Sequence, residues 1–476
     1  MRPLLLFILL YSIHLQPLFA QKNSVGHFFS SGNLSTASYS IYAIDARTGD
    51  LLFETDQKSL SSASAMKLFT TAVALEILGP DYTFSTSLYY SGNIDPQNGA
   101  LTGNLILKGG GDPAFFSSFF EDHYKDCMSN WVAQLKKSGI RKIKGNILLD
   151  LSSLEHASVP GGWAWDDIGN YYGAGVSALT FKDNLYDIHF SSSKAVGVKT
   201  AIKSINPEIP GLILNNNVTS SAEAGDHTIV YGAPGSLHQS IEGTIPADQT
   251  DFVIKAAMPD PPQMAGQALL KKLKEEGIDL SGDVIKMPEG EKSAGTLVGT
   301  QLSPPLKEII VPLNKESLNL YAEHLLCEIG RKYSGEPSRA KGLEAYHKFC
   351  LDKGIDSRGF FPADGSGLTR SNALTSKMLV ETMKYIYDGP NRMIFLNSLP
   401  VAGVDGTLRN SFKGTPLEKN VIAKTGSMAH VRCIAGLMRS KSNKTILFAI
   451  LINNFDLKSQ ETTKLLESIL LNFYND

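Results

Sequence analysis

Residues 64–78 read Ser64-Ala65-Met66-Lys67-Leu68-Phe69-Thr70-Thr71-Ala72-Val73-Ala74-Leu75-Glu76-Ile77-Leu78. After Ser64 the run is apolar nearly all round, the pattern of a helix buried in a core and not laid on a surface. Gly79-Pro80 ends it. Residues i and i+3 share a helix face, so Ser64 and Lys67 can touch. A lysine at the start of a buried helix is costly unless it has a purpose. Partial desolvation and nearby cations would draw its pKa towards the range where it accepts a proton from a serine. Taken alone, Ser64 also fits an N-cap and Lys67 a snorkelling side chain.

The flanking sequence supplies a sheet for this helix. Tyr39-Ser40-Ile41-Tyr42-Ala43-Ile44 alternates like a strand, Arg47-Thr48-Gly49-Asp50 turns it, and Leu51-Leu52-Phe53-Glu54 returns. At the other end, Val421-Ile422-Ala423 reads as a strand and Lys444 to Ile452 as a very apolar one. Leu465, Leu466, Ile469, Leu470 and Phe473 then mark an amphipathic helix. Strands at both ends with helices between predict one α/β domain built from both termini. From about 84 to 292 the text changes to short strand-like runs (Leu105-Ile106-Leu107, Asn146-Ile147-Leu148-Leu149) and turns, with one good helix near Gln263 to Glu276. This is expected to be an inserted, mostly β region.

The chain has 476 residues, 42% hydrophobic and 19% charged, enough for two or three structural units with ordinary cores. A net charge of -2 gives no support for a nucleic-acid partner. The first residues, MRPLLLFILLYSIHLQPLFAQ, place Arg2 before an apolar run and a small residue at Ala20. They read as a signal peptide, residues 1–20, and the mature protein is expected in the periplasm or cell-wall space. The run is short for a membrane span, and no later segment is apolar enough for an integral one. Cys127, Cys327, Cys350 and Cys433 allow three full pairings or buried free thiols. No His/Cys cluster calls for a metal.

Three short motifs follow one another: Ser64-Ala65-Met66-Lys67, Ser317-Leu318-Asn319 and Lys424-Thr425-Gly426. Each is weak alone. S-x-x-K recurs at Ser191–Lys194 and Ser338–Lys341, and S-x-N at Ser31–Asn33 and Ser91–Asn93. Only Ser64 opens a buried helix. Ser317 and Asn319 stand at the start of a second helix, Leu320 to Ile329, where hydroxyl and amide can face one cleft. Lys424-Thr425-Gly426 puts a cation and a hydroxyl at a strand edge, with Gly426 leaving room for a substrate backbone.

In this order and context, the trio resembles that of penicillin-binding proteins. The chain is similar to the class C low-molecular-mass members, the D-Ala-D-Ala carboxypeptidase/endopeptidase family. The likeness extends over nearly the whole mature chain. It includes Leu78-Gly79-Pro80-Asp81-Tyr82, Gly103-Asn104-Leu105, Gly110-Gly111-Asp112-Pro113, Trp163-Ala164-Trp165-Asp166-Asp167, Asn170-Tyr171-Tyr172-Gly173-Ala174, Asp364-Gly365-Ser366-Gly367-Leu368 and Gly406-Thr407-Leu408. Two departures, Leu318 where the family often has Asp and Ser427 where Thr is common, remove no required group. The resemblance implies an α/β (α+β) fold: a β-lactamase/transpeptidase-like domain (24–83 and 293–476) carrying two nested, mostly β inserts (84–183 with 252–292, and 184–251).

The resemblance also implies the chemistry. Ser64 would be the nucleophile, Lys67 its base, and Ser317 a proton relay assisted by Lys424. Asn319 would hold the substrate amide, and Thr425, with Lys424, the terminal carboxylate. Gly426, Ser427 and Met428 would line the strand edge, with the backbone N–H groups of Ser64 and Ser427 as oxyanion donors. Trp163, Asp166, Tyr171 and Met428 would receive a free-amine stem side chain. The implied partners are peptidoglycan stem peptides, with β-lactams as inhibitors and no cofactor. The rivals are a β-lactamase, a Ser-His-Asp hydrolase and a non-catalytic peptidoglycan-binding protein. An E-x-x-L-N motif and a G-x-S-x-G elbow are both missing from the sequence, and the large insert and intact motif set also count against these readings. His324 and His430 lie near the motifs and are expected to be structural.

Overall fold

The structure, a computed structural model, describes Phe29 and residues 34–475 apart from 155–157, 289 and 292–293. The expected signal peptide lies outside the described residues. Among those described, no helix is long and apolar enough to cross a membrane. The chain forms two compact units. The first contains residues up to Pro80, Ile310–Leu318 and the chain from Leu343 on; the second contains Asp81–Ile309 and Asn319–Gly342.

The first unit is built on a five-stranded antiparallel sheet in the order Ile422–Met428, Val431–Arg439, Thr445–Asn453, Ser38–Asp45, Leu51–Glu54. The apolar run 445–453 is the middle strand, as its composition requires. Ile446, Phe448, Ile450 and Ile452 enter one core with Leu465, Leu466, Ile469, Leu470 and Phe473 of the C-terminal helix, Ser459–Asn475. The alternate residues Leu447, Ala449 and Leu451 are equally buried. Helix Ser376–Asp388 packs across this strand and Ser38–Asp45, and the Ser376 hydroxyl meets that of Ser40 at 2.8 Å. Helix Met66–Ile77 packs against Ser376–Asp388, and its residues Met66 to Leu75 are all buried. Phe69 holds it in place, edge-on to Tyr346, Phe349 and Phe360 at ring distances of 5.0, 5.8 and 5.0 Å. Burying a ring of this size stabilises by about 1.5–3 kcal/mol.

The second unit is mostly β. A seven-stranded sheet runs Asp279–Leu280, Lys142–Lys144, Ala100–Lys108, Ser85–Ile94, Thr296–Leu302, with Ile147–Asp150 and Val284–Lys286 continuing beside Ala100–Lys108. Two three-stranded sheets, Phe252–Ala257/Leu185–Ser191/Ala201–Asn206 and His227–Tyr231/His238–Pro246/Ile213–Ser221, complete it. The helix expected near Gln263 is Pro261–Glu275, N-capped by Asp260. It is not alone in the insert: Cys127–Lys137 is also helical and packs against it. Its apolar residues, Cys127, Met128, Trp131, Val132 and Leu135, follow the helical period, but five polar or charged positions dilute the signal. The helix after Ser317 runs from Asn319 to Ser334, longer than expected because its last turn is polar.

Candidate active site

Ser64 sits in a single 3-10 turn, Ala63–Ala65, that feeds the buried helix. As the i,i+3 spacing dictates, Lys67 Nζ donates to Ser64 Oγ at 2.9 Å, and a second proton goes to the Ser366 carbonyl at 2.7 Å. Lys67 is fully buried while Ser64 remains partly open. The turn is pinned from three successive strands of the sheet. The Asn453 side chain clasps Ser61, accepting from its N–H at 2.8 Å and donating to its carbonyl at 3.1 Å. Cys433 Sγ reaches the same carbonyl at 3.4 Å. Gly426 lies so close that a Cβ there would stand 2.5 Å from the Ser62 carbonyl and 3.0 Å from Ser64 N. From the far side, Gly367 (φ +84°) rides on the Ala63 carbonyl, where a Cβ would stand at 1.9 Å. The Asp364 carboxylate fixes that loop, accepting from Gly367 N and Thr369 N at 2.7 and 2.6 Å.

Lys424 and Ser317 form a second lysine–serine pair. Strand Ile422–Met428 is the sheet edge, and period-2 alternation puts Lys424 and Gly426 on one face. Lys424 is fully buried and donates to Ser317 Oγ at 3.0 Å and to its neighbour's carbonyl, Thr425 O, at 2.9 Å. Ser317 holds φ 60°, a left-handed conformation uncommon for a non-glycine. Burial, and then the charge of Lys67, push the Lys424 pKa well below that of a free lysine. Thr425 Oγ1 donates to Thr407 Oγ1 at 2.7 Å; Ser427 is exposed and Met428 half-buried.

The second unit carries the other expected residues. Asn319 is buried and donates from Nδ2 to the Tyr172 carbonyl at 2.8 Å. In the segment 163–173, Trp163 is buried, whereas Trp165, Asp166 and Tyr171 are exposed. Trp165 stacks on Tyr231, and Tyr171 meets the edge of Tyr172 at 5.2 Å. His324 is fully buried. Its Nδ1 donates to the Gly111 carbonyl at 2.9 Å, and burial pushes its pKa down to about 3, so it is a neutral strut. Exposed His430 binds the Phe455 carbonyl. All four cysteines are buried. Among the described residues no group of three His, Cys, Asp or Glu could hold a metal.

Two fully buried lysines, each hydrogen-bonded to a serine hydroxyl, thus lie in one unit. Residues 21–470 match the D-Ala-D-Ala carboxypeptidase 3 (S13) family. The chain belongs to this family. Membership makes it a D-Ala-D-Ala carboxypeptidase, a hydrolase. It is 29% identical over 422 residues to the D-alanyl-D-alanine carboxypeptidase DacB of Haemophilus influenzae, covering 87% of this chain and 85% of that protein. It is 29% identical over 435 residues to a D-alanyl-D-alanine carboxypeptidase of an Actinomadura species, covering 88% and 78%. The crystal structure of penicillin binding protein 4 (dacB) from H. influenzae superposes with a TM-score of 0.80 at 26% identity, over 92% of this chain and 97% of that one.

In this carboxypeptidase, the fold brings Ser64, Lys67, Ser317, Lys424, Thr425 and Gly426 into the first unit's centre. Asn319, Trp163, Asp166 and Tyr171 belong to the second unit. Ser366, Thr407 and Tyr172 lie in segments that carry the resemblance but had no role assigned, and Asn453 was missed. Ser366 and Tyr172 act through backbone carbonyls, which leave no side-chain signature. Asn453 is the polar end of an apolar strand, and that break in hydrophobicity was its only signal.

Proposed function

We propose that this carboxypeptidase also acts as an endopeptidase on peptidoglycan cross-links, and that both reactions run through an acyl-enzyme on Ser64. The observation that carries this is the 2.9 Å contact between Lys67 Nζ and Ser64 Oγ in a buried setting. With Lys67 as a neutral amine, the Ser64 proton passes to Nζ as Oγ attacks the carbonyl between two D-alanines. The C–N bond then breaks, and Ser317, between Lys67 and Lys424 in the relay, returns a proton to the leaving amine. Water hydrolyses the ester by the reverse path. The N–H groups of Ser64 and Ser427 serve the oxyanion, each worth about 3 kcal/mol. Lys424 and Thr425 bind the terminal carboxylate, Asn319 the substrate amide, and Gly426 admits the substrate backbone. Trp163, Asp166, Tyr171 and Met428 recognise a stem side chain ending in a free amine. β-Lactams acylate Ser64 and leave slowly. The chain is exported by residues 1–20 and works in the periplasm or cell-wall space. Its second unit comprises an outer insert and an inner one, 184–251, whose sheet is closed by Phe252–Ala257.

Benzylpenicillin should add its mass once, on Ser64, and Ser64→Ala should abolish the adduct; labelling of Ser191 or Ser338 would overturn the assignment. Asp166→Asn should lower kcat/KM about 10- to 150-fold for peptides with a free-amine side chain, the worth of a charged hydrogen bond, and leave penicillin acylation nearly unchanged. Equal loss for both ligands would remove Asp166 from substrate recognition.

A further inference from the structure

An amide that donates from Nδ2 to a fixed carbonyl has its own oxygen aimed the other way. The Tyr172 carbonyl therefore decides which atom Asn319 offers to substrate. Tyr172 in turn is held by its neighbours in the turn 166–173. Its phenol donates to the Asp167 carboxylate; burial, and then that carboxylate, keep the phenol in its neutral form. The Asp167 carbonyl accepts from Asn170 N at 3.2 Å, and Gly173 rests on that carbonyl so closely that a Cβ would stand 2.0 Å away.

The opposite end of the turn is equally constrained. Asn170 is buried; its Nδ2 donates to the Asp166 carbonyl at 2.6 Å and its Oδ1 accepts from Val230 N at 3.1 Å. Gly169 leaves no space for a Cβ, which would stand 2.1 Å from the Val230 carbonyl. Asp166 and Tyr171 on the exposed side and the Tyr172 carbonyl on the buried side thus belong to one tightly bonded turn.

We propose that Asp167 is a positioning residue, acting through Tyr172 on Asn319, and that this turn links recognition of the stem side chain to the orientation of the amide-holding group. The inference rests on the roles given above to Asp166 and Asn319. It means that a side chain seated on Asp166 and Tyr171 raises kcat and does not merely lower KM, because its binding energy is used to hold Asn319 in the reactive arrangement.

The test measures acylation rates with benzylpenicillin and with D-Ala-D-Ala peptides that carry or lack a free-amine side chain. The variants are Tyr172→Phe, which deletes only the phenol, Asp167→Ala, Asn319→Ala and the double variant Tyr172→Phe/Asn319→Ala, with thermal unfolding in parallel. Tyr172→Phe and Asp167→Ala should each slow penicillin acylation on the order of tenfold, the scale expected when a reactive group is misplaced by a fraction of an ångström. In the Asn319→Ala background, Tyr172→Phe should add no further loss. If the two losses multiply, the turn only supports the fold and the positioning role is overturned, while the roles of Asp166 and Asn319 stand. If Asn319→Ala acylates at the wild-type rate, the Asn319 assignment and this inference fall together.

Discussion

Replacing Gly426 by alanine tests the architecture of the centre with one methyl group. The added Cβ would stand 2.5 Å from the Ser62 carbonyl, 2.9 Å from Ala65 N and 3.0 Å from Ser64 N, all of them backbone atoms. The turn around Ser64 cannot yield easily, because Asn453 clasps Ser61 from the central strand. The edge strand must therefore retreat, by about 1 Å if the contact is to relax to a normal separation near 3.5 Å. Lys424 shares that face and moves with it, stretching its 3.0 Å bond to Ser317. Overpacking of this kind costs about 1–3 kcal/mol of stability, and a 1 Å misplacement of reacting groups about 100-fold in rate. The assay is the pseudo-first-order rate of benzylpenicillin acylation, followed by intact mass, beside a denaturant titration. A folded Gly426→Ala protein that acylates at nearly the wild-type rate would refute the reasoning.

Two further outcomes follow from buried cations. Burial, and then repulsion from Lys67, make Lys424 give up its proton at lower pH than a free lysine. Lys424→Met should move the acid limb of the acylation profile to higher pH, because a lone ammonium is held more firmly; an unmoved limb would contradict this. The folded state also refuses a proton that an unfolded lysine keeps up to about pH 10.5. Wild-type stability should therefore rise with pH towards that value, and Lys424→Met should flatten the rise in urea titrations. Burial holds the folded pKa of His324 at about 3, below the usual 6.5, so the unfolded chain takes up its proton first as pH falls. Stability should drop from about pH 6.5 downwards, and His324→Gln should weaken that drop in unfolding at pH 7 and 4.5. Parallel losses in both proteins would show that His324 is not the source.

How far the sequence could be read depends on the range of the interaction concerned. The Ser64–Lys67 contact spans one helical turn and was visible in the spacing. The middle strand of the first sheet was visible because a run buried on both faces has to be apolar throughout. The other copies of these motifs sit in different settings. Ser191 ends a strand, and Ser338 caps the N–H of Lys341 at 3.3 Å. Ser91 lies within strand Ser85–Ile94, and Ser31–Asn33 falls outside the described residues. Long-range pairings were not legible. The parallel partnership of Val284–Lys286 with Ile147–Asp150 joins segments that share no pattern, and the left-handed Ser317 has no residue-type signal. The Cys127–Lys137 helix was within reach of periodicity, but its polar positions masked it.

The order of strands in the first sheet sets a timetable for synthesis. Thr445–Asn453, among the last strands to be made, is the central one, and Ser38 near the beginning pairs with Asn453 near the end. Until that strand arrives, the N-terminal hairpin has no partner on its inner edge and the turn around Ser64 lacks the clasp from Asn453. The sheets of the second unit close on pairings within residues 85–302, so they can form while the flanking segments still wait. Contacts so distant in sequence form slowly and leave strand edges open meanwhile. The turn that carries Ser64 is thus the last part of the centre to be fixed, after nearly the whole chain has been delivered.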